Sequence, residues 1–229
     1  KLLGSLLEYN TEATDSAAET DAAPLLLTRY DVPDAVWATD NDWGVPLLDI
    51  NLQAQSFDQP WAVWGEVKRS ATMRGTWLFY TQDYKFEQLW IDPAQVLNTQ
   101  CVNAVEPNFS CFLNMPPAVA LWQIYRKRWV SRWWQSQGIR IFVDLNVEPN
   151  HAELNRLGIP QGWKAFATRG ESSCMGLLHN DYAIAQSIAG ESVALLFLVY
   201  GGGKEVKAEC QSNGWIWIPE KMDYRIGKV

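Results

Sequence analysis

Histidine is close to absent from this chain, with only His151 and His179 among 229 residues. Neither stands near a Gly-x-Ser-x-Gly elbow, and no Ser or Cys falls in an identifiable nucleophile motif, so a catalytic triad has no foothold. A surface or helix-capping role is expected of both. Cysteine is sparse too. Cys101, Cys111, Cys174 and Cys210 are spaced too widely and irregularly for a zinc ribbon or a dithiol redox motif. A chain with this much apolar sequence needs no disulfides, and a reduced, cytoplasmic protein is expected. Basic residues are outnumbered, 19 Lys and Arg against 26 Asp and Glu, giving a net charge of −7. That balance argues against a protein that mainly coats nucleic-acid phosphates, but it leaves room for a local basic patch. Long apolar runs are missing. The longest, Val193 to Tyr200, is far below the roughly eighteen residues of a membrane span, so no membrane association is expected. No strand is followed by a dinucleotide glycine fingerprint. The first residue is Lys rather than Met, which leaves a removed targeting segment open.

Aromatic and aliphatic residues are abundant: 48% of the chain is hydrophobic and 13 residues are Trp. The length suits one substantial domain with a large core. Residues 1–23 open on Leu2, Leu3, Leu6 and Leu7 and then turn to Ala, Thr, Ser and acid, with no Lys or Arg after Lys1. An acidic, mobile N-terminal segment is expected there, followed by a single α/β domain over residues 24–229. Leu25 to Trp64 is rich in Asp, Pro and Trp, with a dense turn signal at Asp40-Asn41-Asp42-Trp43-Gly44-Val45-Pro46; irregular packed structure is expected.

Beyond it a rhythm sets in. Strands are predicted at Thr76–Tyr80, Cys101–Val105, Ile139–Val143, Trp163–Thr168, Val193–Tyr200 and Trp215–Ile218. Helices are predicted between them, from Tyr84 to about Leu97 with Pro93 interrupting, from 116 to 137, over His151–Leu157, near Leu177–Ala189, and over Lys204–Ser212. Six strand–helix units with continuous apolar strands predict a mainly parallel sheet covered on both faces. Such a sheet is either doubly wound or a partial (β/α) barrel, and the missing glycine fingerprint favours the barrel-like form.

The helix at 116–137 dominates this plan. Pro116 and Pro117 suit its entrance and Gly138 its end. Trp122, Tyr125, Trp129 and Trp133 recur at three- and four-residue steps and share a face, with Arg126, Lys127, Arg128 and Arg132 beside it. Cations among aromatics suit phosphate contact and base stacking. The same composition also arises when Arg stems lie along rings and their guanidinium groups pair with carboxylates of nearby loops.

In a parallel sheet, function gathers at the carboxyl ends of the strands. Those ends carry Tyr80, Gln82 and Asp83; Glu106, Asn108 and Ser110; Asp144, Asn146 and Glu148; Arg169, Glu171 and Ser172; and Tyr200. Asp83, Glu106, Asp144 and Glu171 are the candidate catalytic acids. They are hard oxygen ligands for an ion such as Mg²⁺ in a hydrolase, or else acids that cap the following helices. Gly201-Gly202-Gly203 with Lys204 can cradle a phosphate through backbone N–H groups, or form a plain strand-to-helix turn, since the Walker ending is missing.

Several spaced stretches resemble a known family. They are Phe79-Tyr80-Thr81-Gln82-Asp83-Tyr84-Lys85-Phe86-Glu87, then Glu106-Pro107-Asn108-Phe109-Ser110, then Met115-Pro116 leading to Ile124-Tyr125-Arg126-Lys127-Arg128-Trp129, and Trp134-Gln135-Ser136-Gln137-Gly138-Ile139. In this order, over roughly residues 40–203, the chain resembles the bacterial and phage family catalogued as domain of unknown function 4417. The family pattern has Asp where this chain has Asn108, and an acidic pair where it has Gln82 and Asp83. If those acids are catalytic in relatives, the resemblance implies an impaired enzyme or a non-enzyme here. It implies membership in a phage, plasmid or other mobile element, and no chemistry.

Three functions remain open. The first is an accessory protein of a mobile element that binds a single-stranded nucleic acid, or a replication or defence protein partner, with Arg126, Lys127, Arg128, Arg132 and Lys204 as anion contacts. The second is a metal-dependent hydrolase built on the four acids. The third is a purely protein-binding module.

Overall fold

A computed structural model describes residues 37–66 and 72–220. The acidic segment expected at 1–23 lies outside the described residues. Seven strands form one sheet: β1 (Trp61–Val63), β2 (Thr76–Leu78), β3 (Asn103–Val105), β4 (Arg140–Asp144), β5 (Ala165–Arg169), β6 (Leu196–Tyr200) and β7 (Ile216–Ile218). Each pairs with its neighbours in chain order, and every pairing is parallel. The order never reverses, which removes the doubly wound alternative. The sheet curls into a half-barrel. The Tyr80 and Tyr200 rings, from β2 and β6, stack with centroids 5.3 Å apart. On a flat sheet four strand spacings would hold them about 19 Å apart.

The helices are α1 (Gln88–Ile91), α2 (Pro117–Ser136), α3 (Ala152–Asn155), α4 (Met175–Ala189) and α5 (Gly203–Asn213). Two expectations need correction. The stretch read as irregular before residue 64 contains β1, a three-residue strand aligned on β2 with Trp61 opposite Thr76. It is too short to show a period, and Pro60 before it masks the signal. The helix expected from Tyr84 to Leu97 is only α1, flanked by 3₁₀ turns at Asp83–Lys85 and Pro93–Thr99. Pro93 has no N–H to continue the ladder and forces Asp92 out of helical geometry, with φ −136° and ψ 82°.

Strand residues alternate between two apolar layers. Toward the helices lie Trp77, Phe79, Ala104, Ile141, Val143, Phe166, Phe197 and Val199, packed with Trp129, Trp133 and Trp134 of α2. On the concave side Val63, Leu78, Tyr80, Val105, Phe142, Ala165, Ala167, Leu198, Tyr200 and Ile218 meet one another, with Ala54, and among the described residues no helix contributes. Three of the large outer rings have their indole N–H groups satisfied, whereas the buried Nε1 of Trp129 and of Trp215 has no hydrogen-bond partner. Trp134 Nε1 donates to the Pro93 carbonyl at 3.0 Å, Trp77 Nε1 to Thr99 Oγ1 at 2.8 Å, and Trp163 Nε1 to the Ala165 carbonyl at 2.7 Å. Removing a buried ring of this size costs about 3–5 kcal/mol, so these positions fix the sheet-to-helix spacing.

Helix α2 ends as its sequence predicts. Gly138 takes φ +87°, Gly138 N donates to the Gln135 carbonyl at 2.8 Å, and Ile139 N donates to that of Trp134 at 3.1 Å. The paired bonds and left-handed glycine are a Schellman cap, which turns the chain straight into β4.

Candidate functional site

Because every strand is parallel, the loops that follow them meet at one end of the half-barrel. The concave layer is apolar in its middle, between Thr76 and Asn103 at the first rung and Tyr80, Asp144, Arg169 and Tyr200 at the last, as the period of two places them. Tyr80 Oη donates to Asp144 Oδ1 at 3.0 Å, and burial together with the neighbouring Asp144 carboxylate holds the Tyr80 hydroxyl well above its ordinary pKa. It therefore stays protonated, as a donor.

Below this rung the cations of α2 turn inward. Lys127 Nζ lies 3.0 Å from Asp144 Oδ2 and 3.1 Å from the Asp144 carbonyl oxygen. Asn146 N donates to Asp144 Oδ1 at 3.1 Å, and Asn155 of α3 donates to the Asp144 carbonyl at 3.0 Å. Burial pushes the Asp144 carboxyl up, and the Lys127 ammonium opposes that shift. At the next residue of α2, Arg128 pairs with Glu106 just after β3, and Glu106 Oε2 also accepts from Asp144 N at 3.0 Å. Arg128 Nε donates to the Leu157 carbonyl at 3.0 Å and Nη2 to that of Asn155. All four ion-paired side chains have 0% exposure. Two buried pairs thus stitch β3, β4, α2 and α3 together.

The other predicted cations are placed differently. Arg126 is nearly buried, with its guanidinium 4.1 Å from the Phe109 ring centroid, bonded to Gln123 and 3.6 Å from Glu87. Arg132 stands 4.6 Å over the Trp37 ring. Lys204 is exposed in the first turn of α5, remote in sequence from the α2 group. The positive charge of the central helix is therefore mostly internal.

The four predicted acids are not brought together as a set. Glu106 and Asp144 share the buried ladder. Asp83 accepts from Ser110 N at 3.0 Å and Ser110 Oγ at 2.8 Å, tying the loop after β2 to the loop after β3. Glu171 is exposed and accepts from Ser173 Oγ at 2.8 Å. Among the described residues, no three His, Cys, Asp or Glu side chains stand close enough to share a metal ion. His151 is buried, with its Nε2 3.1 Å from the Phe112 carbonyl oxygen, so it braces a loop and is no surface residue. His179 pairs with Glu209 at 3.2 Å on the exterior.

Asp181 of α4 was not singled out from sequence. It accepts from the buried Thr168 hydroxyl of β5, and burial lifts its carboxyl to about 7. The four cysteines are unpaired, and burial pushes the Cys101 thiol up to about 11 and that of Cys210 to about 12. Among the described residues, no helix is long and apolar enough to cross a membrane.

Above the last rung the strand-end loops leave three adjoining depressions of about 630, 570 and 250 Å³, and Arg169 lines all three. Tyr80, Tyr200, Asp83 and Ser110 border the largest; Asp181, Glu171 and the Gly202–Gly203 turn border the second. In that turn Gly202 has φ +83°, and a Cβ there would come within 2.8 Å of the Gly170 backbone. Close approach of the loops after β5 and β6 is sufficient reason for a glycine at that point.

The motifs that shape this end are those of a family. The family described as "Domain of unknown function (DUF4417)" matches residues 37–177, more than half of the chain. The chain belongs to this family. Among curated proteins it is 38% identical over 96 residues to the "Gene 1 protein" of Mycobacterium phage D29, covering 41% of this chain and 36% of that protein. It is 42% identical over 87 residues to the "Gene 1 protein" of Mycobacterium phage L5, covering 37% of this chain and 38% of that protein. The chain thus matches little more than a third of the length of these relatives. No solved structure matches it.

The DUF4417 match contains the Lys127–Asp144 and Arg128–Glu106 pairs, the Asp83–Ser110 tie, Arg169 and Glu171. It ends before Tyr200 and Lys204. Asn108 borders the smallest of the three depressions. Three residues at the mouth escaped the sequence reading. Phe112 and Leu177 are large apolar residues left 64% and 42% exposed, and Glu220 faces Arg169 at 3.5 Å. Only their placement, Phe112 and Glu220 on strand-end loops and Leu177 in the first turn of α4, marks them out, not their type.

Proposed function

We propose that this DUF4417 protein is an accessory protein of a phage or related mobile element, and that it acts by docking a protein partner at the open carboxyl end of its half-barrel. The phage relatives support the setting. The observation that carries the docking reading is a contrast in exposure. Lys127 and Arg128, the centre of the suspected nucleic-acid patch, have no exposed surface, whereas Tyr84, Phe112 and Leu177 ring the mouth at 72%, 64% and 42% exposure. Exposed apolar side chains around a concave polar centre are a common form of interaction site. The hydrolase alternative has less support, because two of its four acids are already neutralised by α2. Four unpaired cysteines favour the reducing cytoplasm as the place of action.

Random peptide display on the full chain tests this. Counter-selection uses a Phe112→Ser/Leu177→Ser variant whose unchanged thermal melt shows that it is folded. The expected result is a set of sequences held by the unmodified chain alone. No mouth-dependent ligand, together with a salt-sensitive shift of a labelled single-stranded oligonucleotide, would return the function to nucleic acid.

A further inference from the structure

The chemistry of the mouth restricts what can dock there. Its described lining carries Glu66, Asp83, Glu148, Glu171, Asp181 and Glu220. Against these stand two described cations, Lys85 and Arg169, and Arg169 faces Glu220 at 3.5 Å. The acids come from five separate places: after β1, β2, β4, β5 and β7, with Asp181 on α4 beneath. This is a property of the whole concavity and not of one loop. Asp83 spends both oxygens on Ser110, but its charge remains at the rim.

Aromatic faces stand among these charges. Tyr84 and Phe112 rise from the loops after β2 and β3, and the stacked pair of Tyr80 and Tyr200 forms the floor. Aromatic faces and carboxylates together attract a cation by two routes, the ring quadrupole and direct charge pairing. Both disfavour a phosphate. An aliphatic stem also gains by lying along Phe112 and Leu177 while its charged head reaches the acids.

Resting on the docking reading above, we infer that the mouth is a receptor for a basic polypeptide segment of a partner, whose Arg or Lys side chains enter between Tyr84 and Phe112 toward Glu148 and Glu171 while neighbouring apolar residues cover Phe112 and Leu177. Charge complementarity of this kind sets selectivity and on-rate, so the interaction weakens with salt.

The test is fluorescence anisotropy with the full chain and three labelled probes: a short peptide alternating Arg and Leu, its Glu and Leu counterpart, and a single-stranded oligonucleotide. The Arg/Leu peptide should bind and the other two should not. Glu171→Gln/Glu148→Gln and, separately, Phe112→Ser should each weaken it by on the order of tenfold, with melts unchanged. Preference for the Glu/Leu peptide, lost in the Phe112→Ser variant, would overturn the basic partner and leave the docking reading standing. No binding of any peptide at low salt would overturn both. Binding of the oligonucleotide in preference to peptides would also overturn both. Self-association by sedimentation that Phe112→Ser abolishes would assign the mouth to a second copy and overturn the partner. Binding strengthened about tenfold by deleting residues 221–229, which carry Lys221, Arg225 and Lys228, would assign it to the chain's own segment.

Discussion

Lys127 Nζ sits 3.0 Å from Asp144 Oδ2, and neither side chain touches solvent. A buried pair of this kind adds little net stability over apolar residues, but breaking it leaves a charge stranded. Lys127→Met should therefore cost about 3–5 kcal/mol in urea unfolding, while Lys127→Met/Asp144→Asn should recover part of that loss. Equal losses in the single and double variants would show that Asp144 is not the stranded charge.

Arg128 makes a sharper demand, because one guanidinium serves Glu106 and the carbonyls of Leu157 and Asn155. An ammonium cannot span three directions. Arg128→Lys should cost about 2–3 kcal/mol, read as a lower melting temperature, although it preserves charge. If Arg128 served nucleic acid at a surface, Arg128→Lys would instead leave the melt unchanged.

The parallel half-barrel was legible because its signals are local and repeated. The apolar run Val193–Tyr200 reads as a buried strand, and its last five residues form β6, while Gly138 marks the end of α2. Strand β1 was not legible, since three residues after a proline carry no period. The α2 cations were legible as a choice between core and surface but not as an answer. Arg126, Lys127 and Arg128 are consecutive, so they point in different directions around the helix, and only the position of α2 over β3 and β4 decides which of them meet carboxylates. Phe112 and Leu177 were invisible for the opposite reason. Apolar residues read as core by default, and nothing in their neighbourhood says that the loop after β3 and the first turn of α4 leave them outside.

Asp83 separates two accounts of the same acid. As the tie between two mouth loops it accepts both Ser110 N and Ser110 Oγ. Asp83→Ala should cost about 1–2 kcal/mol and speed amide exchange in the loop around Ser110, with Asp83→Asn intermediate because one acceptor remains. A metal ligand would behave otherwise. A thermal shift on adding Mg²⁺ or Mn²⁺ that Asp83→Asn abolishes, at unchanged intrinsic stability, would make the acid catalytic machinery after all.

Asp181 gives the fold a pH dependence of known sign. Burial raises its folded carboxyl to about 7, far above the unfolded value, so the folded chain holds the proton more tightly. Its contribution is fully present below about pH 4 and is lost as the pH rises through 7, with a total on the order of 4 kcal/mol. Asp181→Asn keeps an acceptor for the Thr168 hydroxyl and cannot ionise. The stability of the unmodified chain relative to Asp181→Asn should therefore fall in urea melts as the pH rises from about 4 to about 7, most steeply between about pH 4.5 and about pH 6.5, and level off above about pH 7. A difference that stays flat over this range would mean that the Asp181 carboxylate is stabilised in the fold by a contact stronger than the Thr168 hydroxyl. It would then contribute its full negative charge to the mouth at neutral pH.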